Sequence, residues 1–209
     1  MFNGLYVLTD DSLFPHRAWP DRVEACLAGG AGLIQLRDKR LSDDALEKTA
    51  YAIREVCQAY RVPFIINDRL ALAKKVCADG VHLGRSDISI RAARDYLGAG
   101  FIIGASCYAS LLLGLRAQQA GADYLAFGRV FRSNTKPQAL HCSLSQLALA
   151  RKRLTTPICA IGGINEKNIA LISRRKINWA ACVHHVFNAE DPTRAAANTL
   201  QQGILHAAK

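Results

Sequence analysis

Leu33-Ile34-Gln35-Leu36-Arg37-Asp38-Lys39, followed by Ser42-Asp43-Asp44 and then by Leu46, Ala50, Ile53, Cys57 and Tyr60, contains the repeating unit of the fold. The first four residues form a mainly apolar run of strand length that ends in charge. After Ser42 the apolar residues recur at spacings of four, three, four and three, which draws one face along a helix. Ser42 is placed to cap that helix, and Asp43 and Asp44 suit its positively polarised first turn. The stretch therefore reads strand, polar loop, helix.

Working outward, seven more runs of the same kind appear: Leu5–Leu8, Phe64–Ile66, Gly80–Leu83, Phe101–Ile103, Tyr124–Phe127, Ile158–Ile161 and Ala181–Val183. Segments of helical periodicity separate them. A strand–helix unit repeated in this way predicts a parallel sheet, and closure into a barrel removes its open edges. The expectation is one α/β domain over residues 1–209, a (βα)8 TIM barrel. The competing architecture, an open doubly wound sheet, would be favoured by a G-x-G-x-x-G fingerprint after an early strand, and none is present. Half of the 209 residues are hydrophobic, enough for one sizeable core, and no linker, low-complexity stretch or internal repeat divides the chain.

Composition narrows the classes of function. No stretch approaches the roughly 20 apolar residues of a membrane span, and Met1 to Asp10 has neither a basic leader nor a cleavage site. The seven cysteines are dispersed, never as C-x-x-C, and most lie in apolar segments, so buried reduced thiols are expected rather than disulfides or a zinc site. Together these features predict a soluble, cytoplasmic protein. Lys and Arg outnumber Asp and Glu by 27 to 17, a balance that favours anionic partners, either phosphorylated small molecules or nucleic acid. The densest basic clusters, Arg151-Lys152-Arg153 and Arg174-Arg175-Lys176, fall near helix ends, where cations complement the helix dipole without any ligand.

The strand ends carry the chemistry. They read Thr9-Asp10, Arg37-Asp38-Lys39, Asn67-Asp68-Arg69, Gly84-Arg85-Ser86-Asp87, Ser106, Gly128 and Gly162-Gly163, and in a βα barrel all of them lie on the face that bears catalytic loops. Gln35, Arg37 and Lys39 alternate with Ile34 and Leu36, so they share the side of the strand that faces the barrel mouth, and two adjacent cations there suit an anion. Asp68 and Asp87 end neighbouring strands, and two carboxylates beside bases suit Mg²⁺ shared with a diphosphate. The plainer reading is that Asp68 caps the helix starting near Arg69, and Asp87 or Ser86 the next. Ser133, Thr135 and Lys136 lie in a long loop after the sixth strand, and the Gly162-Gly163 pair follows the seventh, a usual place for phosphate in this fold. His82, on Val81-His82-Leu83, is by itself a satisfied strand histidine.

Five segments in one order resemble the thiamine-phosphate synthase family: Ile34-Gln35-Leu36-Arg37-Asp38-Lys39, Ile66-Asn67-Asp68-Arg69, Asp79-Gly80-Val81-His82-Leu83-Gly84, Gly121-Ala122-Asp123-Tyr124 with Thr135-Lys136-Pro137, and Ala160-Ile161-Gly162-Gly163-Ile164. The resemblance spans nearly the whole chain. It implies a transferase of thiamine biosynthesis that joins hydroxymethylpyrimidine diphosphate to hydroxyethylthiazole phosphate and releases diphosphate. It implies that the pyrimidine C–O bond breaks first, to a cation that the thiazole nitrogen captures. By the same resemblance Gln35 holds the aminopyrimidine with His82 nearby, and Arg37, Lys39, Asn67, Ser106 and Lys136 grip the diphosphate. Of these, Arg37, Lys39, Ser106 and Lys136 are the catalytic set. Asp68 and Asp87 would bind Mg²⁺, and Ser133, Thr135 and Gly163 would receive the thiazole phosphate.

The chain departs from the family where it reads Arg129 and Arg132 near expected prolines, and Trp179 and His184 in place of a glycine and a later serine. His184 can still donate to phosphate, whereas Trp179 bears on the base of its strand. Two other functions compete: a thiazole tautomerase-like isomerase on the same barrel, which has little use for a Mg²⁺–diphosphate set, and a non-catalytic basic module for nucleic acid. The second would want aromatic residues interleaved with a basic stripe, yet aromatics are 7% of the chain and the bases are dispersed. The expected partners are the two small-molecule substrates, with no nucleic acid and no membrane, and self-association into a homo-oligomer stays open.

Overall fold

In a computed structural model, which describes residues 3–132 and 140–207, eight parallel strands close into a barrel in sequential order. The strands are β1 (Gly4–Leu8), β2 (Leu33–Leu36), β3 (Phe64–Asn67), β4 (Gly80–Leu83), β5 (Ile102–Tyr108), β6 (Tyr124–Gly128), β7 (Ile158–Ile161) and β8 (Trp179–Cys182). The helices are α1 (Trp19–Ala28), α2 (Asp43–Ala59), α3 (Leu70–Lys75), α4 (Ile90–Leu97), α5 (Leu111–Gln119), α6 (Leu144–Arg153), α7 (Ile169–Ser173), α8 (His184–Phe187) and α9 (Pro192–Ala207). None of the described helices is long and apolar enough to cross a membrane.

Two cores follow from the period of two along each strand. Inside the barrel lie Tyr6, Leu8, Leu33, Ile65, Tyr124, Ala126, Cys159 and Ala181. The alternate residues, among them Leu5, Val7, Ile34, Leu36, Phe64, Ile66, Leu125 and Phe127, face outward into the larger core beneath the helices. Both faces are buried, which is why the strands read as apolar runs rather than as alternating patterns. On α2, Leu46, Ala50, Ile53 and Cys57 are buried as the periodicity predicts, and the Ser42 hydroxyl accepts from the Ala45 N–H at 3.3 Å. Tyr60, the last member of that series, instead follows the helix as its C-terminal cap and is 40% exposed.

Two strands differ from the expected limits by more than one residue at an end. β5 continues past Ile103 through Gly104-Ala105-Ser106, small residues that add no apolar signal but still pair with both neighbours. β8 starts at Trp179, where pairing with Gly4 and Cys159 begins, and ends before Val183. The Trp179 side chain joins the interior core at the base of the barrel and packs over Gly4 and Gly32. All seven cysteines are free thiols, and all but Cys77 are buried. The Arg151-Lys152-Arg153 cluster occupies the last turn of α6, as dipole complementarity suggests.

Candidate active site

The carboxyl ends of the strands enclose a cavity of about 340 Å³. β2 delivers Gln35 and Arg37 to it, β3 Asn67, β4 His82 and β5 Ser106. The β7 end supplies Gly162-Gly163, and the β8 end His184 and His185. Seven of the residues anticipated from sequence therefore line one cavity: Gln35, Arg37, Asn67, His82, Ser106, Gly163 and His184. Trp179 does not line it, because it sits at the opposite end of β8. Ser133, Thr135 and Lys136 lie outside the described residues.

The backbone around Arg37 is fixed by its neighbours. The Thr9 hydroxyl accepts from the Arg37 N–H at 2.8 Å and donates to the Arg37 carbonyl at 3.1 Å, locking the ends of β1 and β2 together. Beyond that point Asp38 Oδ1 accepts from the N–H groups of Arg40 and Leu41, both at 2.8 Å. Arg69 then donates to the Asp38 and Leu41 carbonyls and to the Asp43 carboxylate, tying the β2 loop to the end of β3. These bonds hold the loop that carries Lys39.

Lys39, Asp68 and Asp87 form a separate cluster on the rim. Lys39 Nζ lies 3.1 Å from Asp68 Oδ2, and Asp87 Oδ2 accepts from the Gly84 N–H at 2.6 Å. Partial burial raises the Asp87 pKa, the Gly84 N–H lowers it, and the adjacent Asp68 carboxyl raises it again against the pull of Lys39; the outcome is upward. Neither carboxylate caps a helix: α3 has no side-chain cap, and the Ser89 hydroxyl caps α4 by accepting from Ala92 at 3.2 Å. Asp68 also adopts a left-handed backbone (φ 62°), an uncommon conformation for a non-glycine residue and one that clusters at functional sites. Among the described residues no group of three or more His, Cys, Asp or Glu suits a metal. Two carboxylates do suit Mg²⁺, which takes one or two of them and fills its other positions with water and phosphate oxygens.

The opposite side of the cavity adds Asp10 and His185, which had no role from sequence, to the anticipated His184 and Gly163. His184 Nε2 lies 3.6 Å from Asp10 Oδ2. Burial alone would raise the Asp10 pKa, but the Ser12 N–H and hydroxyl, with Arg37 and His184 nearby, bring it below its ordinary value. His185 also faces the cavity, and burial lowers its pKa. Arg129 and Arg132 complete this wall, and the loop stem that carries them is held to β7 by Val130 N–H to the Ile161 carbonyl and Phe131 N–H to the Gly162 carbonyl. Gly163 is required here: its φ is 65°, and a Cβ would stand 2.2 Å from the Arg132 carbonyl oxygen. The signal for Asp10 was its place at the end of the first strand. Tyr6 and Tyr124, beneath the cavity, could have been found from the inward half of the strand alternation.

The sequence matches the thiamine monophosphate synthase family over residues 5–186. It is 44% identical over 194 residues to the thiamine-phosphate synthase of Nitrosococcus oceani, which covers 93% of this chain and 89% of that protein. The corresponding protein of Alcanivorax borkumensis is 45% identical over 189 residues, covering 90% and 87%. Among solved structures, a thiamine phosphate pyrophosphorylase from Pyrococcus furiosus superposes with a TM-score of 0.88 at 32% identity, over 97% of this chain and 96% of that one. The isomerase and binding-module alternatives gain no support from these likenesses.

Proposed function

The chain belongs to the thiamine monophosphate synthase family, and from that premise we propose that its barrel mouth joins hydroxymethylpyrimidine diphosphate to hydroxyethylthiazole phosphate, releasing diphosphate. The observation that carries the reading is a single mouth with groups suited to an anion on each of two sides. Arg37, Asn67 and Ser106, with the Lys39–Asp68–Asp87 cluster on the adjoining strand ends, form one side. Gly163, His184 and the Arg129–Arg132 stem form the other.

On the first side Gln35 receives the aminopyrimidine. Its Oε1 is buried and has no hydrogen-bond partner, an acceptor that an amino group would satisfy. Arg37, Lys39, Asn67 and Ser106 grip the diphosphate, together with Lys136, which is assigned to it from the sequence alone. Asp68 and Asp87 would hold Mg²⁺, which when bound supplies positive charge to the oxygens of the leaving diphosphate. The thiazole phosphate is received by Gly163 and His184, joined from sequence by Ser133 and Thr135.

The chemistry asks little more of the protein. The C–O bond of the pyrimidine methylene breaks and its electron pair leaves with the diphosphate. The resulting cation accepts the thiazole nitrogen lone pair, and the C–N bond forms. No proton changes hands, so no side chain has to act as a general base. Stabilising the departing charge and excluding water are sufficient roles for the cations and the cavity.

Seven free thiols fit a reducing compartment, and the cytoplasm is the proposed location. The test of function is direct. Purified protein with both substrates and Mg²⁺ is expected to form thiamine phosphate and diphosphate in equal amounts; saturating substrates without product would refute the assignment.

A further inference from the structure

A single chain of hydrogen bonds crosses the barrel beneath the cavity. Gln35 Nε2 donates to the Tyr6 hydroxyl, which lies 2.8 Å from the Tyr124 hydroxyl. Tyr124 Oη is 2.9 Å from His82 Nδ1, and His82 Nε2 is 2.9 Å from Ser106 Oγ. The five residues come from five strands, β2, β1, β6, β4 and β5. The crossing depends on Gly104, since a Cβ there would stand 2.0 Å from Cζ of the Tyr124 ring. Burial raises the pKa of both tyrosines, so each hydroxyl keeps its hydrogen.

Each hydroxyl has one hydrogen to donate, and a neutral imidazole has one N–H, so only two directions of the chain use the hydrogens of both buried tyrosines. In the first, Gln35 donates to Tyr6, Tyr6 to Tyr124, Tyr124 to His82 Nδ1, and the His82 Nε2–H to Ser106. Gln35 then turns its Oε1 to the cavity, and Ser106 keeps its O–H for a ligand. In the second direction every bond reverses. Gln35 then shows its NH₂ to the cavity, and the Ser106 hydrogen is used on His82. Only the first direction offers an acceptor to an amino group at one end and a donor to a diphosphate oxygen at the other.

We propose that Tyr6 and Tyr124 are positioning residues that hold His82 in its Nε2–H tautomer, and thereby orient Gln35 and Ser106 for the two ends of one substrate. The inference rests on reading this side of the mouth as the pyrimidine diphosphate site. It has a consequence for binding. An amino group on Gln35 and an anion on Ser106 select the same direction of the chain, so each end favours the other across the barrel.

Nitrogen NMR of the wild-type protein without substrate, at about pH 8, above the ordinary imidazole range, reads the tautomer directly. The His82 signal is identified by its loss in His82→Gln. The expected result is a protonated Nε2 and an unprotonated, hydrogen-bonded Nδ1. Tyr124→Phe is expected to erode that preference. Both Tyr6→Phe and Tyr124→Phe should raise KM for the pyrimidine diphosphate about tenfold, the weight of a typical buried hydrogen bond, while KM for the thiazole phosphate stays within about twofold. A wild-type His82 protonated on Nδ1 overturns the proposal, as do tyrosine variants with an unchanged tautomer and unchanged KM. If the tautomer behaves as expected but no thiamine phosphate forms, the hydrogen-bond chain stands and the substrate assignment falls.

Discussion

Asp87 shows how a single residue reports on a ligand. Its carboxyl sits against Asp68 with Lys39 nearby to compensate in part, and burial together with that carboxyl neighbour pushes its pKa upward. Two carboxylates in contact cost stability unless a proton, a base or a cation intervenes. Lys39 is more than half exposed, so its ion pair with Asp68 is screened by water and adds little to stability. The cluster therefore makes better sense as a binding device than as a structural one. Asp68→Asn and Asp87→Asn should each raise the Mg²⁺ concentration for half-maximal rate by more than about tenfold and slow turnover, while leaving the thermal midpoint nearly unchanged. Initial rates across a Mg²⁺ titration check this; wild-type rates and metal dependence in both variants would remove the metal assignment.

Among the elements, the side proposed for the thiazole phosphate depends on two loops lying against each other. The β7 end and the stem after β6 meet at Gly163, whose left-handed backbone and missing Cβ let the Arg132 carbonyl approach. Gly163→Ala is expected to part these loops. The thiazole phosphate KM should rise by an order of magnitude or more and the protein should lose about 1–3 kcal/mol of stability, with the pyrimidine diphosphate KM little changed. Steady-state kinetics with each substrate varied in turn, beside a denaturant titration, separates these effects; an equal rise in both KM values would contradict the division of the mouth. The elements also show what periodicity could and could not reveal. Apolar runs located β2, β4 and β7 to the residue, because strands buried on both faces are apolar throughout. They missed the second half of β5, since Gly104, Ala105 and Ser106 are small and add no apolar signal, Gly104 because the Tyr124 ring crosses it. They also placed β8 two residues late at its start, because Trp179 stands apart from the run and its inward direction depends on Gly4 and Gly32 from distant parts of the chain.

For the whole molecule, the repeat of strand and helix was sufficient to predict a closed barrel, and closure brings residues from remote segments to one mouth. Lining residues with an obvious polar identity, such as Gln35, Arg37 and Asn67, were legible as strand-end chemistry. Tyr6 and Tyr124 were legible as inward-facing strand residues but not as partners, because 118 residues separate them and each alone reads as core. Asp10 likewise acquires meaning only beside His184, across the β1–β8 seam. In the proposed assignment, a pyrimidine end, a diphosphate end and a phosphate end lie around one cavity of about 340 Å³. In the proposed reaction the protein breaks the carbon–oxygen bond by stabilising a departing diphosphate. An isotopic label on the oxygen bridging the pyrimidine methylene to phosphorus tests that claim most directly. Mass spectrometry of the products should find all of the label in released diphosphate, with thiamine phosphate unlabelled. Label retained on a hydroxymethylpyrimidine product would mean that the phosphorus–oxygen bond breaks instead, and would contradict the account.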